Sequence, residues 1–144
     1  MRVADLLKGK NATVMMVEPT LTVQALAERL RSARVGVMIV SHDGHALDGI
    51  ISERDVAYGL AEHGGTLPVL HVSDLMTRSV ITCVPSDSVS EVAKVMTLRR
   101  IRHLPVKEGD TIVGVISIGD VLKSRISEIE LEANVLRDIA IAVR

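Results

Sequence analysis

The chain is written twice. Gly49-Ile50-Ile51-Ser52-Glu53-Arg54-Asp55-Val56 returns as Gly114-Val115-Ile116-Ser117-Ile118-Gly119-Asp120-Val121, five of eight positions identical at an offset of 65. Val23, Leu26, Ala27 and Leu30 return at an offset of 66 as Val89, Val92, Ala93 and Met96. Both sets keep the i, i+3, i+4, i+7 spacing of an amphipathic helix. Val3-Ala4-Asp5-Leu6 meets Val72-Ser73-Asp74-Leu75 at an offset of 69. The order is the same in both halves, and the drift in offset marks loops of unequal length. A duplication binds the fold tightly: what the first copy forms, the second must form as well.

Each copy reads as β-α-β-β-α. Helical entries over 2–8 and 72–77 lead to short strands over 13–17 and 80–84, ended by Pro19 and Pro85 because proline cannot donate to a ladder. Helices follow over 22–33 and 88–99. Strand pairs follow over 35–41 with 47–52 and over 102–107 with 111–117, turned at Asp43-Gly44 and Gly109-Asp110. Last helices begin near 53 and near 118, and 63–68 is the break between copies, with Gly64-Gly65 as a helix stop. The expected domains are 1–65 and 70–125, with 126–144 a helical tail. The fold class is α+β (α/β): two tandem β-α-β-β-α repeats in a pseudo-twofold pair with a long C-terminal helix. A copy of about 65 residues is marginal alone, so the two should bury their apolar faces together, leaving a cleft suited to a small ligand.

Composition removes whole classes. With 47% hydrophobic and 24% charged residues among 144, the chain is no disordered tail. A net charge of -1 gives no field for a polyanion, and Tyr58 is the sole aromatic residue on which a base could stack. Nucleic acid is therefore not an expected partner. Cys83 is the one cysteine, which excludes an internal disulfide and suits a reducing cytoplasm. It is expected on a strand as a small buried side chain. The N-terminus shows no signal-peptide stretch, and the longest apolar run, 35–40, is far short of the roughly 18–20 residues a membrane helix needs. A soluble cytoplasmic protein is expected. No nucleophile elbow, Walker loop, dinucleotide fingerprint or zinc-protease motif is present, so a catalyst would need a nucleophile or metal that these motifs do not supply.

Three features carry chemistry. The pairs Ser52 with Asp55 and Ser117 with Asp120 stand where a strand gives way to a helix. They read first as capping boxes, like Ser88-Val89-Ser90-Glu91, and second as groups that hold the hydroxyls of a ribose, and the two roles are compatible. Arg99-Arg100-Ile101-Arg102-His103 precedes a strand. It is either a solvated helix end or a phosphate grip. Arg34 aligns with Arg100, but Gly36 and Val37 replace Arg102 and His103, so two sites would not be equivalent. His42 and His45 lack further ligands nearby, and no metal is expected. Third, Leu122, Ile126, Ile129, Ala133, Leu136, Ala140 and Val143 step by four and three residues, a heptad seam. Leu131, Val135 and Ile139 add a second apolar face. The part beyond about 128 outruns a single copy and is expected to meet another chain, with a fold-back onto its own subunit as the alternative.

The segments Asp5-Leu6, 23–30, Leu47-Asp48-Gly49-Ile50-Ile51-Ser52-Glu53-Arg54-Asp55-Val56, Asp74-Leu75-Met76-Thr77, 100–106 and 114–121 resemble a stand-alone tandem CBS-domain protein of the small bacterial type, a pair of cystathionine-β-synthase-type domains. The resemblance covers about 1–125, and the tail looks like the helix many such proteins carry. It implies a regulatory module binding AMP, ADP, ATP, NAD(H) or S-adenosylmethionine in the inter-domain cleft, as an energy or redox sensor needing no cofactor. Carried over, Ser52 and Asp55 hold a ribose and Arg54 reaches a phosphate. Ser117 and Asp120 hold a second ribose, with Thr82, Arg102 and His103 completing that site. Adenine lies among Val37, Val80 and Leu104. Tyr58 stands where many relatives have arginine, and Gly119 replaces Arg54 in the second copy, which leaves the number of phosphates held open. The family also implies homodimers through the CBS faces, joined here by the C-terminal helix. The alternative function is an assembly module with empty clefts that recruits a client protein.

Overall fold

The computed structural model describes residues 1–10 and 14–143. Its elements are α1 (Val3–Lys8), β1 (Met16–Val17), α2 (Val23–Ala33), β2 (Val37–Val40), β3 (Gly49–Ser52), α3 (Glu53–His63), a 3-10 helix (Gly64–Val69), α4 (Val72–Leu75), α5 (Val89–Arg99), β4 (His103–Glu108), β5 (Thr111–Ser117) and α6 (Ile118–Ala142). The chain divides into two compact units. One gathers Ala12–Val84 and Pro105–Val115, the other Met1–Asn11, Pro85–Leu104 and Ile116–Arg144. No helix among the described residues is long and apolar enough to cross a membrane.

The first unit is built on a three-stranded sheet in the order β1-β2-β3. β1 runs parallel to β2, with Met16 opposite Ile39 and Val17 opposite Val40. β2 and β3 are antiparallel, from Val37 opposite Ser52 to Val40 opposite Gly49. Thr22 starts α2 by accepting from the Ala25 amide at 3.2 Å. The helix then turns Val23, Leu26 and Leu30 inward, the stripe the sequence spacing requires. Leu26, Leu30, Met38, Val40, Ile51, Val72 and Met76 close one core with Val17. Gly49 is dictated by close approach: a Cβ there would lie 2.8 Å from the Thr77 carbonyl. Ile50 and Thr77 exchange backbone bonds beside it, at 3.0 and 2.9 Å. α3 stops at Gly64, whose φ of +59° suits a residue without a Cβ.

The β2–β3 connection is a tied loop. Asp43 Oδ1 accepts from the amides of His45 and Ala46, both at 2.8 Å, and from Ser41 Oγ at 3.1 Å. These amides, Ala46 first, hold the Asp43 carboxyl down at about 2. His42 binds Asp48 Oδ2 through its amide at 2.6 Å and through Nδ1 at 2.7 Å, and that bond raises the imidazole pKa.

The second unit packs α1, α5 and the first turns of α6. Val3, Val89, Val92, Met96, Leu104, Ile116 and Val121 are buried there. Ser88 starts α5 by accepting from the Glu91 amide at 3.1 Å. α2 and α5 end alike, on Arg34 and Arg100, each with positive φ, 54° and 53°.

Several boundaries differ from the sequence reading. No strand forms over 80–84. Cys83, buried as expected, makes only an isolated parallel bridge to Val106. It is flanked by exposed Thr82 and Val84, and Pro85 cuts the ladder short. The second sheet therefore has two strands, β4 and β5. Of the strand expected over 13–17, Met16–Val17 is formed, and Thr13 lies outside the described residues. The helix expected over 72–77 ends at Leu75, because Met76 turns extended and Thr77 is claimed by Ile50.

Candidate functional site

Both copies build the same strand-to-helix junction. In the first, the Glu53 amide donates to the Gly36 carbonyl at 2.9 Å, fastening the start of α3 to the start of β2. In the second, the Ile118 amide donates to the Arg102 carbonyl at 2.8 Å, fastening α6 to the start of β4. The serine-aspartate pairs sit on these fastened corners.

At the first corner Ser52 Oγ accepts from the Asp55 amide at 3.3 Å, and Asp55 Oδ2 accepts from the Ser52 amide at 2.8 Å and from its hydroxyl at 3.1 Å. At the second, Ser117 Oγ accepts from the Asp120 amide at 3.1 Å, and Asp120 Oδ2 accepts from the Ser117 amide at 2.8 Å. The capping role is thus present at both. Asp5 and Asp74 make the same return bond, to the amides of Arg2 and His71, each at 2.9 Å. A carboxylate at the third helical position thus closes the start of four of the six described α-helices, α1, α3, α4 and α6. Ser88 and Glu91 form only the forward half of the box.

The two corners are not equal. Lys10 Nζ lies 2.8 Å from Asp120 Oδ2, an ion pair with both side chains about 30% exposed (32% and 28%). Burial pushes the Asp120 pKa up, but the Lys10 ammonium and the Ser117 donors together outweigh it, and the net direction is down. Lys10 carried no signal in the sequence, since its partner is 110 residues away.

The other expected site residues fall in two groups. Val37, directly opposite Ser52, is half-buried, and Arg54 is exposed on the first turn of α3. Val80, half-buried, and Thr82, exposed, lie in irregular chain of the same unit. Arg102, exposed, and His103, half-buried, join Ser117 and Asp120 in the other unit. Leu104 is 1% exposed and serves the core. Sequence reasoning also missed a groove of about 520 Å3 between α2 and α3, lined by Leu30, Arg31, Arg34, Gly36, Glu53 and Val56. It adjoins the first corner through Gly36 and Glu53, and Arg31 with Arg34 at the helix end was its one legible sign. Among the described residues no three His, Cys, Asp or Glu side chains gather at metal-binding distance. His42 is instead held by Asp48.

Comparison with known proteins places this geometry. The profile of the CBS domain matches twice, over 3–62 and 72–127. The chain is similar to the mitochondrial CBS domain-containing protein CBSX3 of Arabidopsis thaliana, 34% identical over 84% of this chain and 62% of that one, so it spans less than two thirds of that relative. It is similar to the CBS domain-containing protein YhcV of Bacillus subtilis, 28% identical over 79% of this chain and 80% of that one. Among solved structures, a CBS-domain protein of Agrobacterium tumefaciens superposes with a TM-score of 0.82 at 34% identity, covering 87% of this chain and 99% of that one.

Proposed function

From the premise that the chain belongs to the CBS domain family, we propose that it is a regulatory module that binds an adenosine-containing nucleotide and is not itself a catalyst. The modules are the copies 1–65 and 70–125, with 126–144 as an added helix. The ligand class is AMP, ADP, ATP or NAD(H), read as an energy or redox signal in the cytoplasm, by a homodimer joined through its CBS faces and its C-terminal helix. S-adenosylmethionine belongs in the trial set, since the CBS pair of protein MJ0100, 22% identical, is described in complex with 5'-methylthioadenosine and S-adenosyl-L-methionine.

One observation supports the reading above the rest. Both copies keep Ser-x-x-Asp on a corner fastened to the neighbouring strand by the same backbone bond. Among the described helix starts only these two join a capping serine to an aspartate at the third helical position in a complete reciprocal pair, each directly after a strand. Ser52 and Asp55 take the ribose of one site, Arg54 a phosphate and Val37 one face of the adenine. Ser117 and Asp120 take the second ribose, with Arg102 and His103 on the phosphates. The assembly-module alternative draws on the exposed apolar side chains of α6, and a client protein would meet them.

The test is calorimetry with AMP, ADP, ATP, NAD(H) and S-adenosylmethionine on the wild type, Asp55→Asn and Asp120→Asn. Asparagine keeps an acceptor for the cap amide and removes the charge. One ligand should bind the wild type and weaken about tenfold or more in the variant of its site, since a charge-assisted bond contributes about 1.5–3 kcal/mol. Unchanged affinity in both variants removes the site assignment, and no binding by nucleotide-free protein leaves the assembly module.

A further inference from the structure

Beyond its first turns α6 is left uncovered by the described residues of its own unit. From 125 to 143 every side chain except half-buried Glu128 is exposed, Ile126, Ile129, Leu131, Leu136 and Ile139 each by more than half. The CBS match ends at 127, so the stretch from 128 onward lies outside the shared domain. A contiguous exposed apolar stripe on a regular helix marks an interface.

The charges beside the stripe identify what covers it. With Leu122, Ile129, Leu136 and Val143 at heptad d and Ile126, Ala133 and Ala140 at a, the charged flanking residues over 122–143 are Arg125 and Glu132 at g and Lys123, Glu130 and Arg137 at e, with Ile139 the apolar g residue. In a parallel, in-register pair each g residue faces the e residue five positions later on the other helix. Arg125 then meets the partner's Glu130 and Glu132 meets the partner's Arg137. Symmetry doubles the set to four attractive pairs with no like charges facing. Head-to-tail pairing does worse. The register that keeps the seam closed joins Glu130 to the partner's Arg137 but leaves Arg125 and Glu132 without opposite charges. The register one heptad away sets Glu130 against Glu130 and Lys123 against Arg137. The ion pair of Arg125 with Glu128, at 3.4 Å on an exposed face, is weak and is readily exchanged.

We infer that α6 pairs with α6 of a second copy of this chain as a parallel, in-register two-stranded coiled coil over 122–143, about 33 Å long. Ala133 and Ala140 draw the backbones together at two layers, and Leu131 and Val135 stay on the outer face. The inference deepens the homodimer reading above and rests on it.

Sedimentation and cysteine cross-linking test it on the full chain carrying Cys83→Ser. Ile126→Cys should give a disulfide-linked dimer under mild oxidation, because equivalent a positions touch only in the parallel register. Glu130→Arg should weaken the dimer about tenfold at low salt, and Arg125→Glu with Glu130→Arg should restore it. A dimer in which Ile126→Cys fails to cross-link, or cross-links only with Val143→Cys, overturns the parallel coil and leaves the dimer reading standing. A monomer at tens of micromolar overturns both. Both helix positions are solvent-exposed, and circular dichroism checks that the variants stay folded.

Discussion

Asp120 holds two donors on one oxygen, the Ser117 amide and the Lys10 ammonium. A ribose arriving there must use the other oxygen or displace the lysine, whereas Asp55 carries no such cation in the bonds described for it. Capping and binding separate by comparison with Ser88, which caps a helix but lies at neither corner. Ser52→Ala, Ser88→Ala and Ser117→Ala should each cost about 1 kcal/mol in denaturant melts. Only Ser52→Ala and Ser117→Ala should also weaken nucleotide binding, and equal affinities in all three would reduce both serines to caps. The lowered Asp120 pKa has a definite sign. A depressed carboxylate adds stability above its ordinary value of 3.8, and this is lost as pH falls toward the lower folded value. Lys10→Met should bring the Asp120 pKa back up and reduce the loss of stability between about pH 5 and pH 2, read from urea midpoints. His42 runs the other way. Its pKa is raised by the Asp48 bond, so its contribution is full below 6.5 and fades as pH rises past the folded value. Asp48→Asn should lower the His42 titration seen by NMR, and an unmoved midpoint would show the bond absent in solution.

At the scale of elements, helices were the legible part. α2 and α5 announced themselves by an apolar stripe behind Thr22 and Ser88, and both begin within one residue of the expected place. Strand 80–84 was not legible in the same way. Its residues have strand character, but a ladder needs a partner over its whole length, and only Cys83 finds one, in Val106. The helix stops were half legible. Gly64 read correctly, yet Arg34 and Arg100 occupy the left-handed conformation where glycine or asparagine is usual, and a sequence pattern has no means of showing a φ. That conformation costs a residue with a Cβ roughly 1–2 kcal/mol, against about 0.5–1 kcal/mol of added chain entropy for glycine. Arg34→Gly and Arg100→Gly should therefore each stabilise by up to about 1 kcal/mol in thermal or urea unfolding. A destabilised variant would mean that the arginine side chain holds its unit together through contacts stronger than the strain.

For the whole molecule, the tail sets how stability depends on concentration. A net charge of -1 offers little repulsion between copies, and the exposed residues of α6 contribute apolar area only when another helix covers them. Anything that binds the folded state alone raises the melting temperature by mass action, and a second copy acts as such a ligand. The full chain should therefore melt higher as its concentration rises. A chain ending at 127, which keeps both CBS matches and so the CBS faces, should show a clearly weaker dependence across the same range. A nucleotide at a hundred times its dissociation constant should add about 2.7 kcal/mol to either chain, a rise of several degrees at this size. The two dependences are separable because the corners at Ser52 and Ser117 lie before the cut. If the shortened chain keeps the concentration dependence, association runs through the CBS faces and the helix is an accessory. If it loses the nucleotide response along with the tail, the coil and the binding corners form one coupled device, because pairing of the tails then favours the conformation the nucleotide binds.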